Sequence, residues 1–291
     1  GQATKRIDFV VTLKTPPTTV VKSNVIYNLD GVNVAITSDH YPLYCDFKKP
    51  TGLEEYPKAE GDLRIGNYFL TYCKGTDGVI DYDRTGRIIA KMNADIVCLQ
   101  GLDKETERSE GIDQLNVLAQ KANMHDYFAK AIDYKGGEFG VGILTKEEPV
   151  SVDRYQMAGK SEMRAAMVVE YEKFVVASTN FDTDMAKRIE ALQTLETKLS
   201  AYNKPAFLLG YFNEGDLESE FFQMVKSNWN LLSADKSTEV SGKKRRLDFI
   251  VSLKSHNVNV TQADVIENLS GVDVTIASTH YPLFCDFSGL K

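Results

Sequence analysis

The chain has 291 residues, 43 % of them apolar, with 34 Lys and Arg against 41 Asp and Glu and a formal net charge of −7. That composition excludes a disordered or fibrous protein, and no apolar run reaches the roughly 18 residues of a membrane span. The acidic balance argues against nucleic acid, which favours a basic surface, and four cysteines make no disulfide framework.

In chain order, the first feature is a repeat. Shifted by 240, residues 5–47 fall on 245–287 without a gap, and 23 of the 43 positions are identical. The string RIDFVV matches RLDFIV in the second copy, and SDHYPLYCDF matches STHYPLFCDF. Such self-similarity must be settled before any fold is assigned. Only the tail of a unit is duplicated, so the chain divides into a tail copy at 1–48, a linker at 49–62 and a body with its own tail at 63–291. The linker KPTGLEEYPKAEGD combines prolines, glycines and charge without apolar periodicity.

Within the body, residues 68–72 read as a strand and 80–92 as a helix, with Ile80, Ile88, Ile89 and Met92 on one side. Residues 95–100 form an apolar strand. A second helix is predicted at 111–122, and strands at 140–144, 165–170 and 174–179. Residues 184–199 form a strong helix, because Ile189, Leu192, Leu195 and Leu199 share a face. Another strand follows at 206–210, and the tail adds three. Strands outnumber helices, which suits packed sheets flanked by helices, with polar loops gathered at the strand ends.

Taken together in this order, YFLTYC, DIVCLQGLD, AKAIDYKGGEFGVGIL, MRAAMVVE, VVASTNFD, FLLGYFN, RRLDFIVS and STHYPLFCDF resemble the endonuclease/exonuclease/phosphatase family. The resemblance runs from about residue 63 to 287. It implies an α/β (α+β) class and a four-layer α/β/β/α sandwich, the DNase I-like fold. It also implies Mg²⁺-dependent hydrolysis of phosphodiesters or phosphomonoesters. Such chemistry needs hard oxygen ligands for the cation and a His supported by an acid to handle protons.

Matched residue by residue, the body keeps three of the family's functional positions, His280, Asp248 and Asn213. Six others are substituted. Cys73 stands where the resemblance places the Asn after the first strand, and Gly101 stands for the metal-binding Glu. Val141 replaces a loop Asn, Asn180 a strand-end His, Tyr211 the Asp of GDFN, and Thr279 the Asp of SDH. Gly, Val and Tyr cannot hold Mg²⁺, so no metal and no cofactor is expected here, with Mg²⁺ the cofactor if the protein is active. The N-terminal copy retains the family pattern as Asp8, Asp39 and His40.

The expectation is a protein that has lost metal-dependent phosphoester hydrolysis and acts by binding or assembly. The alternative is an active phosphohydrolase, either with a metal site relocated to Asp103, Glu138, Asp182, Glu214 and Asp216 or with a site completed by another chain. The surplus N-terminal strands point to a homo-oligomer or a preceding domain as partner. Unpaired, they would invite aggregation. The sequence opens without a charged and then apolar leader, and the expected compartment is secreted or periplasmic, after signal removal.

Overall fold

The computed structural model describes residues 9–10, 19–27, 30, 40–48 and 55–291. The chain divides into two compact units, Gly1–Pro57 and Lys58–Lys291. In the first, strands β1 (Thr19–Val25) and β2 (Leu43–Lys48) form an antiparallel pair, running from Thr19↔Lys48 to Val25↔Leu43. The pair is irregular between Val20 and Lys22, and the Tyr27 and Tyr41 rings meet edge-on just beyond its Val25↔Leu43 end, 4.9 Å apart. His40 is exposed just before β2, whereas Asp8 and Asp39 lie outside the described residues.

The second unit is built from β3 (Leu63–Phe69), α1 (Tyr82–Lys91), β4 (Ile96–Lys104), α2 (Gln114–Ala122), β5 (His125–Tyr134), β6 (Gly137–Thr145), β7 (Ser151–Met157), β8 (Arg164–Glu170) and β9 (Val175–Asn180). There follow α3 (Met185–Ser200), β10 (Ala206–Tyr211), α4 (Glu220–Asn228), β11 (Trp229–Leu231), β12 (Asp248–Leu253), β13 (Asn259–Val265), α5 (Val274–Ala277) and β14 (Leu283–Ser288). Two six-stranded sheets result, in the orders β13-β14-β3-β4-β6-β5 and β11-β12-β10-β9-β8-β7.

Period-2 alternation decides which side chains fill the space between them. Ile65, Ile96, Cys98 and Ile143 of the first sheet meet Met167, Val176, Phe207 and Ile250 of the second in one core. A second core lies on the outer face of the second sheet, where Leu192, Leu195 and Leu199 of α3 and Phe221, Phe222 and Val225 of α4 cover Val175, Leu208 and Val251. Helices α1 and α2 bury Ile88, Ile89, Leu115 and Leu118, and the Leu115 methyls approach Gly142 of β6. The layers are therefore helix, sheet, sheet, helix, as the sequence implied. Each long helix begins at a side-chain cap that accepts one of its orphan N–H groups: Asp81 from Arg84, Asp113 from Asn116, Asp184 from Lys187 and Ser219 from Phe222.

Two sequence expectations shift. The strand expected at 68–72 is β3, which ends at Phe69 and gives way to a turn at Thr71–Cys73. Residues 58–62, assigned to the linker by composition, pack with the second unit, where Lys58 Nζ reaches Asp95 Oδ2 at 2.8 Å and the Asn93 carbonyl at 3.1 Å.

Candidate functional site

The C-terminal ends of β3, β4, β9 and β10 and the start of β12 meet between the sheets. Toward these ends the inward side chains become polar or aromatic. On β3 they are Ile65, Asn67 and Phe69, and on β4 Ile96, Cys98 and Gln100. On β9 they are Val176, Ser178 and Asn180, and on β10 Phe207, Leu209 and Tyr211. The polar layer is tied by Gln100 Nε2, which donates to Asn67 Oδ1 at 2.8 Å and Ser178 Oγ at 3.2 Å. Asn67 Nδ2 and Gln100 Oε1 are buried there without a hydrogen-bond partner.

Above that layer sits His280, 4 % exposed. Its Nδ1 lies 2.6 Å from Asp248 Oδ2, and the same oxygen accepts from Thr238 Oγ1 at 2.7 Å. Asp248 is fully buried and its Oδ1 has no partner. The segment before β12 braces the histidine. Glu239 bridges to His280, the Thr238 carbonyl accepts from Tyr281 N at 2.8 Å, and the Thr279 carbonyl accepts from Val240 N at 2.9 Å. Arg245 grips Glu239 through two hydrogen bonds of 2.7 and 2.8 Å and holds its carboxyl down at about 2.

Two rings cover the histidine. The Phe69 centroid is 4.8 Å and the Tyr211 centroid 4.7 Å from His280, and the two are 4.6 Å from each other, a closed triangle of ring contacts. Burial and then the Asp248 charge push the Tyr211 hydroxyl up to about 12. Gly101 stands beside this triangle with φ +74, and a Cβ there would lie 3.2 Å from Phe69 Cε2. The glycine leaves room for the ring.

The remaining sequence candidates are placed as follows. Val141 lies in the inter-sheet core. Asn180 accepts from Asn213 Nδ2 at 3.3 Å, and the same nitrogen donates to the Phe181 carbonyl at 2.7 Å. Thr279 is 3.0 Å from the Thr71 hydroxyl. Cys73 is not at the end of β3. It is buried in the following turn, where burial raises its thiol pKa, and Phe69 is the residue that reaches His280. Strand register explains the correction, since Phe69 pairs with Gln100, directly before Gly101. Thr238 was not a sequence candidate, and nothing in the string around it marks it as Asp248's partner.

The carboxylates proposed for a relocated metal are already engaged. Asp103 receives Arg108 at 2.5 and 2.8 Å, and that guanidinium stacks on Tyr72 and Tyr134 at 3.8 and 4.5 Å. Asp182 receives Arg164 at 3.0 Å, and Glu214 receives Arg188 at 3.0 Å. Asp216 accepts from Glu218 N, and Glu138 lies 3.5 Å from Lys130. Among the described residues no group of three or more His, Cys, Asp or Glu is arranged to hold a metal ion. A hard divalent cation wants several oxygens at one point. Two rings, a glycine and one imidazole do not fit it. Lys244, Arg245 and Arg246 border an open cavity of about 460 Å³ with Asn213, Glu214 and Asp216, and Arg245 pairs with Glu239 and Arg246 with Asp235.

Two mixed sheets packed face to face between helices, with a His–Asp pair at the strand ends, define a DNase I-like α/β sandwich. Solved structures of that fold superpose on the chain. An endonuclease/exonuclease/phosphatase from Beutenbergia cavernae DSM 12333 matches with a TM-score of 0.68 at 18 % identity, covering 79 % of this chain and 73 % of that one. The mannosyl-6-phosphatase Bt3783 of Bacteroides thetaiotaomicron VPI-5482 matches at 0.62 and 15 %, over 77 % and 99 %. The catalytic domain of human Nocturnin with bound sulfate matches at 0.59 and 18 %, over 78 % and 93 %. No family model and no curated protein matches the sequence.

Proposed function

We propose that this chain is a catalytically degenerate relative of the endonuclease/exonuclease/phosphatase proteins that acts through binding or assembly. The observation that carries the reading is the triangle of Phe69, Tyr211 and His280 beside Gly101. In this reading Phe69 holds the place that the resemblance gives to the first-strand Asn. Its ring fills the volume that a Glu side chain at position 101 would need, and Tyr211 puts a phenol where the attacking water would be activated. The Asp248–His280 pair then serves as a buried strut between β12 and the segment before β14. Residues 1–48 act as a copy of the closing tail and 49–57 as a linker to the domain, 58–291.

The competing reading is a phosphoester hydrolase whose site is relocated or completed by another chain. One solved neighbour is a mannosyl-6-phosphatase, which favours phosphate-ester chemistry for that alternative. Hydrolysis of p-nitrophenyl phosphate and bis-p-nitrophenyl phosphate by the purified chain with Mg²⁺ or Mn²⁺ separates the two. The expected rate equals that of the His280→Ala variant. Metal-dependent turnover that His280→Ala abolishes would overturn the degenerate reading.

A further inference from the structure

The N-terminal hairpin reproduces the hairpin that closes the body. In the second unit β14 pairs with β13 on one side and with β3 on the other, from Leu283↔Asn67 to Phe287↔Leu63. A buried ion pair fixes that second edge. Arg64, fully buried, donates Nε to Asp286 Oδ1 at 2.6 Å and Nη2 to Asp286 Oδ2 at 2.7 Å, with its guanidinium 4.0 Å from the Phe284 ring.

Strand β2 carries the same set. Tyr44 stands for Phe284, Cys45 for Cys285 and Asp46 for Asp286. The backbone agrees as well. β1–β2 runs from Thr19↔Lys48 to Val25↔Leu43 with its irregularity at Val20/Lys22, and β13–β14 from Asn259↔Ser288 to Val265↔Leu283 with its own at Val260/Gln262. Each pair is displaced by 240. The closing turns match too, with Ile26 N to the Pro42 carbonyl and Ile266 N to the Pro282 carbonyl both at 2.7 Å. Among the described residues, however, β2 pairs with β1 alone, and Asp46 is exposed. A two-stranded hairpin is marginal by itself in water, and a strand edge of this kind is a template for another strand.

We infer that β2 is a docking edge for the first strand of another body of this same fold, one that lacks its own closing hairpin and carries an arginine where this body has Arg64. Charge complementarity selects that occupant, because Asp46 sits at the register of Asp286. An intact second copy is not the occupant, since β14 already fills its edge. This interface does not depend on whether the cleft at His280 turns over a substrate.

The full chain supplies both halves of a test. The recipient carries Cys45→Ser, Ile65→Cys, Cys285→Ser and Asp286→Arg, so that its own β14 meets Arg64 with a like charge. The donor is the unaltered chain, in which Cys45 is the one cysteine that is not buried. Cys285 pairs with Ile65 across the present edge, so a docked β2 brings Cys45 opposite position 65. Under mild oxidation the expected product is a covalent heterodimer joined between Cys45 and the thiol at position 65, identified by peptide mass. A donor with Asp46→Arg, or a recipient that retains Asp286, should give at least tenfold less.

Equal yield from the Asp46→Arg donor means random thiol collision and overturns the proposal, as does no heterodimer with a folded recipient. If the recipient alone is unfolded, excess donor must restore its circular dichroism by mass action. Failure to do so also overturns it. Donor homodimers through Cys45 alone would assign the edge to a β2–β2 pairing instead and sink the heterotypic reading.

Discussion

Gly101 shows how one missing side chain organises the site. With φ +74 it occupies the left-handed region, where an added Cβ is strained, and that Cβ would also press on the Phe69 ring. Gly101→Ala should therefore cost about 1–3 kcal/mol, part backbone and part ring displacement. Combining it with Phe69→Ala removes only the steric part. Urea unfolding of the two single variants and the double should give a double-mutant penalty smaller than the sum of the two; strict additivity would mean the ring and the glycine are not coupled. Positions 101, 211 and 279 could be singled out in the sequence because they fall inside strings that resemble a family in order. Phe69 was not, because only the pairing Phe69↔Gln100 reveals where β3 ends, and Thr238 meets Asp248 through a contact that no local pattern encodes.

The elements divide by how they hide their faces. Helix α3 was readable because one side is wet and the other buries Leu192, Leu195 and Leu199. Strand β3 is buried on both faces and even contains Arg64, whose charge is met by a residue 222 positions away, so its start carries no alternation to read. Strand β5, HDYFAKAIDY, is half exposed and reads as neither period. Close packing makes its own demands. A Cβ on Gly210 would lie 1.9 Å from the Thr179 carbonyl oxygen, across the parallel β9–β10 pair. Gly210→Ala should force those strands apart at about 2–3 kcal/mol, read as a melting temperature lower by roughly 5–10 °C. An unchanged melt would place the strands farther apart than this. The brace before β12 responds to acid. Arg245 holds the Glu239 carboxyl at about 2 against 4.5 when free, so its contribution is complete above the free value and lost as pH falls from about 4.5 to about 2. Arg245 is half exposed, and solvent screening keeps the effect below about 1 kcal/mol. Melts of Glu239→Gln should run parallel to those of the native chain above pH 5 and converge with them toward pH 2. A constant offset down to pH 2 would mean that Glu239 does not titrate in that window.

At the scale of the molecule, the position of the cores predicts what can be removed. Every residue of the inter-sheet core and of the core beneath α3 and α4 lies at or beyond Leu63. The first unit ends at Pro57, and none of its described residues belongs to either. Composition alone would cut the domain at 63, but residues 58–62 make contacts that matter. Lys58 donates to Asp95, a carboxylate held below its ordinary range against the cost of burial by Lys58, the Arg64 N–H and Lys291. Asp62 accepts from Thr261 Oγ1 at 2.5 Å, fastening the start of β3 to β13. Chains 58–291 and 63–291 should therefore differ although they share both cores. The first is expected to unfold within about 2 °C of the full chain. The second loses one charged partner of a mostly buried carboxylate and one hydrogen bond, together about 1–3 kcal/mol, which lowers the melt by roughly 3–10 °C. Calorimetry on the three chains decides it. Equal melts for 58–291 and 63–291 would show that Asp95 is served well enough by Lys291 and the Arg64 N–H, and that the domain begins at the strand itself.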